Sequence, residues 1–131
     1  MFKNPGTKII LVVDDSEQSL KLIKLMLVRV GFHVITAHSA KEGLALLDDI
    51  KPDLIITDQM MPEMDGTQFC REIRKRPSTH LTPILLRTHR MMDSAFVETA
   101  LAAGADEVLH LLIVPTEFVA RVRKLLNENL N

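Results

Sequence analysis

Short runs of apolar, mostly β-branched residues alternate along this chain with longer segments of helical period, and that alternation admits few folds. Lys8 to Val13, Asp53 to Thr57, Ile84 to Leu86 and Glu107 to Leu112 are apolar over most of their length, and His33 to Thr36 is a weaker fifth run. A strand that is apolar throughout needs cover on both faces, as a parallel sheet between helices provides. Leu20, Ile23, Leu27 and Val30 follow helical spacing up to Gly31, where a helix would stop. Ser39 and Glu42 form an S-x-x-E capping box ahead of Leu44, Leu46 and Leu47. A third helix is expected from Gly66 to Arg76, closed by Pro77, and a fourth from about Asp93 to Ala103, ending at Gly104. A fifth begins near Pro115 and buries Phe118, Val122, Leu125 and Leu126. The order βαβαβαβαβα, with right-handed crossovers, predicts an α/β fold with a doubly wound five-stranded parallel sheet. All 131 residues are read as a single domain with its core at about 8–127.

Doubly wound sheets bind ligands beyond the carboxyl ends of their strands, and two of these strands end in acid. The first runs into Asp14-Asp15 and the third into Thr57-Asp58. If the strands are neighbours, three carboxylates meet at one sheet edge, where unpaired they repel and at least one pKa rises. A hard divalent cation such as Mg²⁺ relieves this, taking one or two carboxylates and completing its shell with water and phosphate oxygen. A carboxylate beside such a metal can attack phosphorus and form an aspartyl phosphate. Thr88 stands at the same end of the fourth strand, where a hydroxyl would meet a phosphoryl oxygen.

Four stretches make the chain resemble the receiver domains of response regulators. They are Leu11-Val12-Val13-Asp14-Asp15-Ser16, the D-x-x-M-P-x-M-D-G run from Asp58 to Gly66, Pro83 to Thr88, and Ala103-Gly104-Ala105-Asp106-Glu107. The likeness covers about Lys8 to Asn127. It implies a flavodoxin-like (βα)5 fold with strand order 2-1-3-4-5 and a non-enzymatic role in two-component signalling. It makes Asp58 the phospho-acceptor. It also implies Mg²⁺ held by Asp15, by Asp14 partly through water, by Asp58 and by the Met60 backbone carbonyl, with Thr88 as the phosphoryl contact. The implied partners are a histidine kinase or phosphotransfer protein, and a downstream protein or second copy on the face of the fourth helix, fifth strand and fifth helix.

The same likeness marks departures. Counted from Gly104, the family's lysine and following proline fall on Leu111 and Leu112, and its switch aromatic on Val108. A non-proline at Leu112 makes a cis peptide improbable. The pocket therefore lacks a cation that usually meets the acceptor carboxylate. His89 or Arg90 is expected to supply it in preference to Arg87, since Arg87 and Thr88, as strand neighbours, point to opposite faces. A charge-assisted hydrogen bond contributes roughly 1.5–3 kcal/mol, so a weakened or rewired switch is expected. Two other classes of function are open: a pseudo-receiver acting by protein interaction without phosphorylation, and an aspartyl-phosphate phosphohydrolase. The second lacks the D-x-D nucleophile motif, since Asp58 is followed by Gln59 and Met60.

Composition excludes other classes. A formal net charge of −1 and the absence of Trp and Tyr argue against a nucleic-acid surface. No apolar run is long enough to span a bilayer, and Met1 to Lys8 lacks the apolar stretch of a signal peptide. The single Cys70 forms no intramolecular disulfide and fits a cytoplasmic location. His33, His38, His80 and His110 show no ligand spacing, and Arg71, Arg74, Lys75 and Arg76 are read as a solvated face at a helix C-terminus. Asp14 or Asp15 alone could be a helix cap, and Asp65-Gly66 is read as turn and helix-start chemistry.

Overall fold

The computed structural model describes residues 6–89 and 93–128. Five strands, β1 (Ile9–Val13), β2 (His33–Ala37), β3 (Leu54–Asp58), β4 (Ile84–Thr88) and β5 (Glu107–His110), alternate with five helices. The helices are α1 (Glu17–Arg29), α2 (Ala40–Leu46), α3 (Gly66–Lys75), α4 (Ser94–Ala103) and α5 (Pro115–Leu125). The strands form one parallel sheet in the order β2-β1-β3-β4-β5, the flavodoxin-like arrangement that the resemblance implies.

Alternation along the strands divides the core. Leu11, Val13, Ile55, Ile84 and Leu86 pack on one side with Phe69, Ile73, Phe96 and Ala100 from α3 and α4. Ile10, Val12, Leu54, Ile56 and Leu85 pack on the other with Leu20, Ile23 and Leu27 of α1 and Phe118 and Val122 of α5. Leu125 is only partly buried there, whereas Leu126 is buried. No helix among the described residues is long and apolar enough to cross a membrane.

Local chemistry explains the element ends. Val30 caps α1, and Gly31 turns the chain out at φ +102°. Ser39 caps α2 by accepting from the Glu42 N–H, but Glu42 does not complete the box: its carboxylate accepts from the His38 N–H and lies beside the His38 ring. A complete capping box forms instead at α3, between Asp65 and Gln68. α4 starts on the Asp93 cap and stops at Gly104, φ +119°. The apolar run through Leu112 predicts a longer β5 than is present. The strand ends at His110 because the chain turns there: the Leu112 N–H donates to His110 Nδ1 (3.1 Å) and the Ile113 N–H to the His110 carbonyl. Leu112 is left 84% exposed. No peptide bond among the described residues is cis.

Arg71 and Lys75 of α3 are exposed, as expected of a solvated face, but Arg74 is not. Arg74 reaches back across the sheet edge and donates to the carbonyls of Thr79, His80, Thr82 and Gly104 and to the Asp106 carboxylate. Asp106 in turn accepts from the Ile84 N–H that opens β4. Gly104 is required twice, by its positive φ and because a Cβ there would lie 2.6 Å from Arg74 Cγ.

Candidate functional site

β1 and β3 are adjacent and in register from Ile10↔Leu54 to Val13↔Thr57, so both deliver their terminal acids to the same edge. One carboxylate oxygen from each of Asp14, Asp15 and Asp58 lies within 4.8 Å of the others. Asp14 is 3% and Asp58 9% exposed, while Asp15 faces solvent. None of them serves as the α1 cap. Ser16 does that, accepting from the Ser19 N–H, which leaves the carboxylates available to one another.

Burial pushes the Asp58 carboxyl up to about 6, and the Asp14 charge adds to this. Arg87 and the Gln59 N–H pull in the opposite direction. Asp14 is also raised by burial, against the N–H of Ser16 (2.9 Å) and the Arg87 charge. Asp58 Oδ1 is buried and has no hydrogen-bond partner. An orphaned acceptor in a cluster of hard oxygen donors fits the Mg²⁺ expected from the sequence. Asp14, Asp15 and Asp58 would hold it, and the bound ion would offset their mutual repulsion and the charge of an incoming phosphoryl group.

The loop after β3 is built to hold Asp58 still. The Gln59 N–H donates to the Arg87 carbonyl, the Gly66 N–H to the Gln59 carbonyl, and the Thr67 N–H to Gln59 Oε1. Any side chain at Gly66 would put its Cβ 2.5 Å from the Asp58 carbonyl oxygen and 2.9 Å from Gln59 Cα. Gly66 is therefore fixed by close approach of the loop to the strand. Met60 opens the loop and is 53% exposed. Thr88 is fully buried at the end of β4, and its carbonyl accepts from the Leu111 N–H. Val108 packs in the core opposite Leu86.

Among the described residues, the cation that meets the acids is Arg87, which alternation places behind His89 and Arg90. His89 is exposed, and Arg90 lies outside the described residues. The premise that Arg87 and Thr88 point to opposite faces is sound, but Asp14 and Asp58 belong to Arg87's side. Asp58 is in register with Arg87, two residues on from Ile56 and Leu85, which share the α1–α5 face. Asp14 follows Val12 by the same count of two. Arg87 Nη1 sits 3.7 Å from Asp14 Oδ2, with both side chains largely buried. Its guanidinium carbon is 5.7 Å from the centroid of the Phe118 ring on α5. The register of β3 with β4 places Ile56-x-Asp58 and Leu85-x-Arg87 side by side, with β4 running one residue further to Thr88.

Comparison with known proteins bears on the same residues. A family model described as the response regulator receiver domain matches residues 10–123. The alkaline phosphatase synthesis transcriptional regulatory protein PhoP of Bacillus subtilis is 37% identical over 123 residues, 93% of this chain and 50% of that protein. The chain thus spans about half the length of such curated relatives. Among solved structures, the receiver domain of a signal transduction histidine kinase from Syntrophus aciditrophicus superposes with a TM-score of 0.85 at 30% identity, covering 92% of this chain and 91% of that one. The chemotaxis response regulator CheY4 of Vibrio cholerae superposes with a TM-score of 0.87 at 28% identity, covering 92% and 99%. With its sheet order, its acid-tipped strands and a family match over most of its length, the chain belongs to the response-regulator receiver family.

Proposed function

We propose that this receiver domain is a Mg²⁺-dependent phosphoacceptor in two-component signalling, with Asp58 as the acceptor. The observation that carries the reading is the meeting of Asp14, Asp15 and Asp58 within 4.8 Å, with a buried, unpartnered oxygen on Asp58. An Asp58 carboxylate oxygen attacks the phosphorus of a phosphohistidine on a kinase or phosphotransfer protein. The new O–P bond forms as the P–N bond breaks, and the imidazole leaves with the electron pair and takes up a proton. Asp14, Asp15 and Asp58, with the Met60 carbonyl, would hold the divalent cation, and Thr88 would contact a phosphoryl oxygen. The chain accepts a group and passes on a signal; it does not turn over a substrate. A phosphohydrolase reading is not favoured, because the pocket edge carries no second acid two residues beyond Asp58.

The output is a downstream protein or a second copy of the chain, met at the α4–β5–α5 face, where Leu101, Leu112 and Val114 are exposed. Its relatives' names as transcriptional regulators support an output in gene control. A cytoplasmic setting is part of the proposal, consistent with one buried thiol, Cys70. The test is intact mass after incubation with Mg²⁺ and acetyl phosphate. A gain of one phosphoryl group that disappears in Asp58→Asn is the expected result. No adduct on the native chain would favour a pseudo-receiver that works by protein interaction alone.

A further inference from the structure

We propose that Arg87 is the resident counter-cation of the acid pocket, holding Asp14 from the α1–α5 side and occupying the position that Leu111 leaves without charge. The inference rests on the reading of this pocket as a cation-binding phosphoacceptor site, and it assigns a positioning role to a residue of β4.

The geometry carries it. Arg87 and Leu111 line one cavity, together with Ser19, Ile23, Met26 and Phe118. Leu111 brings no charge to that space. The guanidinium enters it from the neighbouring strand, lies over Phe118 and reaches Asp14. A buried guanidinium is costly unless its donors are used, yet this one is underused. Its Nη1 contact of 3.7 Å is an ion pair longer than the 2.7–2.9 Å usual for a charge-assisted hydrogen bond, and its Nε is buried with no partner. The register places Asp58, whose Oδ1 is also without a partner, on the strand beside it. An unspent donor and an unspent acceptor thus flank the pocket on adjacent strands. Arg87 offsets acid repulsion in the metal-free pocket, opposes an incoming divalent cation, and favours the more negative phosphorylated state. Its removal should therefore move metal binding and phosphorylation in opposite directions.

The experiment compares the native chain with Arg87→Met, Arg87→Gln and Arg87→Lys, each first shown to melt cooperatively. Mg²⁺ is titrated without any phosphodonor, and Asp58 phosphorylation by acetyl phosphate is followed by intact mass. The neutral variants are expected to bind Mg²⁺ roughly three- to tenfold more tightly and to accumulate less phosphorylated protein. Arg87→Lys is expected to stay near the native values. Unchanged or weaker Mg²⁺ binding in both neutral variants would overturn the proposal, because loss of a merely structural residue loosens the site. The metal titration needs no phosphoryl chemistry. If the native chain takes up no phosphate while the neutral variants bind Mg²⁺ more tightly, the phosphoacceptor reading fails and the role of Arg87 stands.

Discussion

Asp58 carries a charge that the fold does not fully support. Its folded pKa of about 6 lies above the ordinary 3.8, so between those values the unfolded chain binds fewer protons than the folded one. Stability therefore falls as pH rises across that window, and the cost is complete above about pH 6. In the presence of a chelator, Asp58→Asn is expected to stabilise the protein by up to about 3 kcal/mol at pH 8. The gain should shrink as pH drops through 6 and be small at pH 4. Denaturant melts at the two pH values check this, and an equal gain at both would show that the carboxylate charge is not the cause. The three acids were legible in the sequence because each stands at the end of an apolar run, and the end of a run is a position that one strand reveals by itself. Arg87 was not, because its side of the sheet is decided by register against a different strand. Alternation within β4 says only that Arg87 and Thr88 diverge; it takes the pairing with Asp58 to say which of the two shares the acids' face.

At the level of elements, the sheet and its strand order followed from the βα alternation and the family likeness, and the errors fall at ends where polar side chains intervene. β5 is shorter than its apolar run because His110 uses its ring nitrogen to turn the chain. Glu42 matches a capping box yet reaches His38, since a neighbouring element offers a competing partner. Arg74 is the largest such case. In sequence it is one cation of a basic cluster; in the fold it ties the end of α3 to the loop before β4 and to the turn before β5. Arg74→Ala would leave several carbonyls and the Asp106 carboxylate short of a donor. It is expected to destabilise the domain by about 2–4 kcal/mol, read as a shift in the denaturant midpoint. Arg71→Ala on the exposed side of the same helix should change stability by less than about 0.5 kcal/mol. Equal effects at the two positions would refute the role of Arg74 as a tie.

For the whole molecule, occupancy of the acid edge should be felt as global stability, because a ligand that binds only the folded state adds to it by mass action. Mg²⁺ at about one hundred times its dissociation constant is expected to add about 2.7 kcal/mol and to raise the melting midpoint by roughly 10 °C. Asp15→Asn, at the exposed member of the cluster, should lose most of that rise while melting near the native temperature in chelator. A full rise in Asp15→Asn would remove Asp15 from the ligand set. The Phe118 ring beneath the Arg87 guanidinium gives this edge a reach beyond its own loops. α5 is anchored in the core through Phe118 and Val122, while Val114 and Pro115 at its start lie open. Any partner that displaced α5 would carry with it the ring on which the Arg87 guanidinium rests. Linkage makes that traffic two-way: whatever factor the partner imposes on the acid edge, the edge imposes on the partner. One aromatic ring thus gives the domain an axle between its chemistry and its audience.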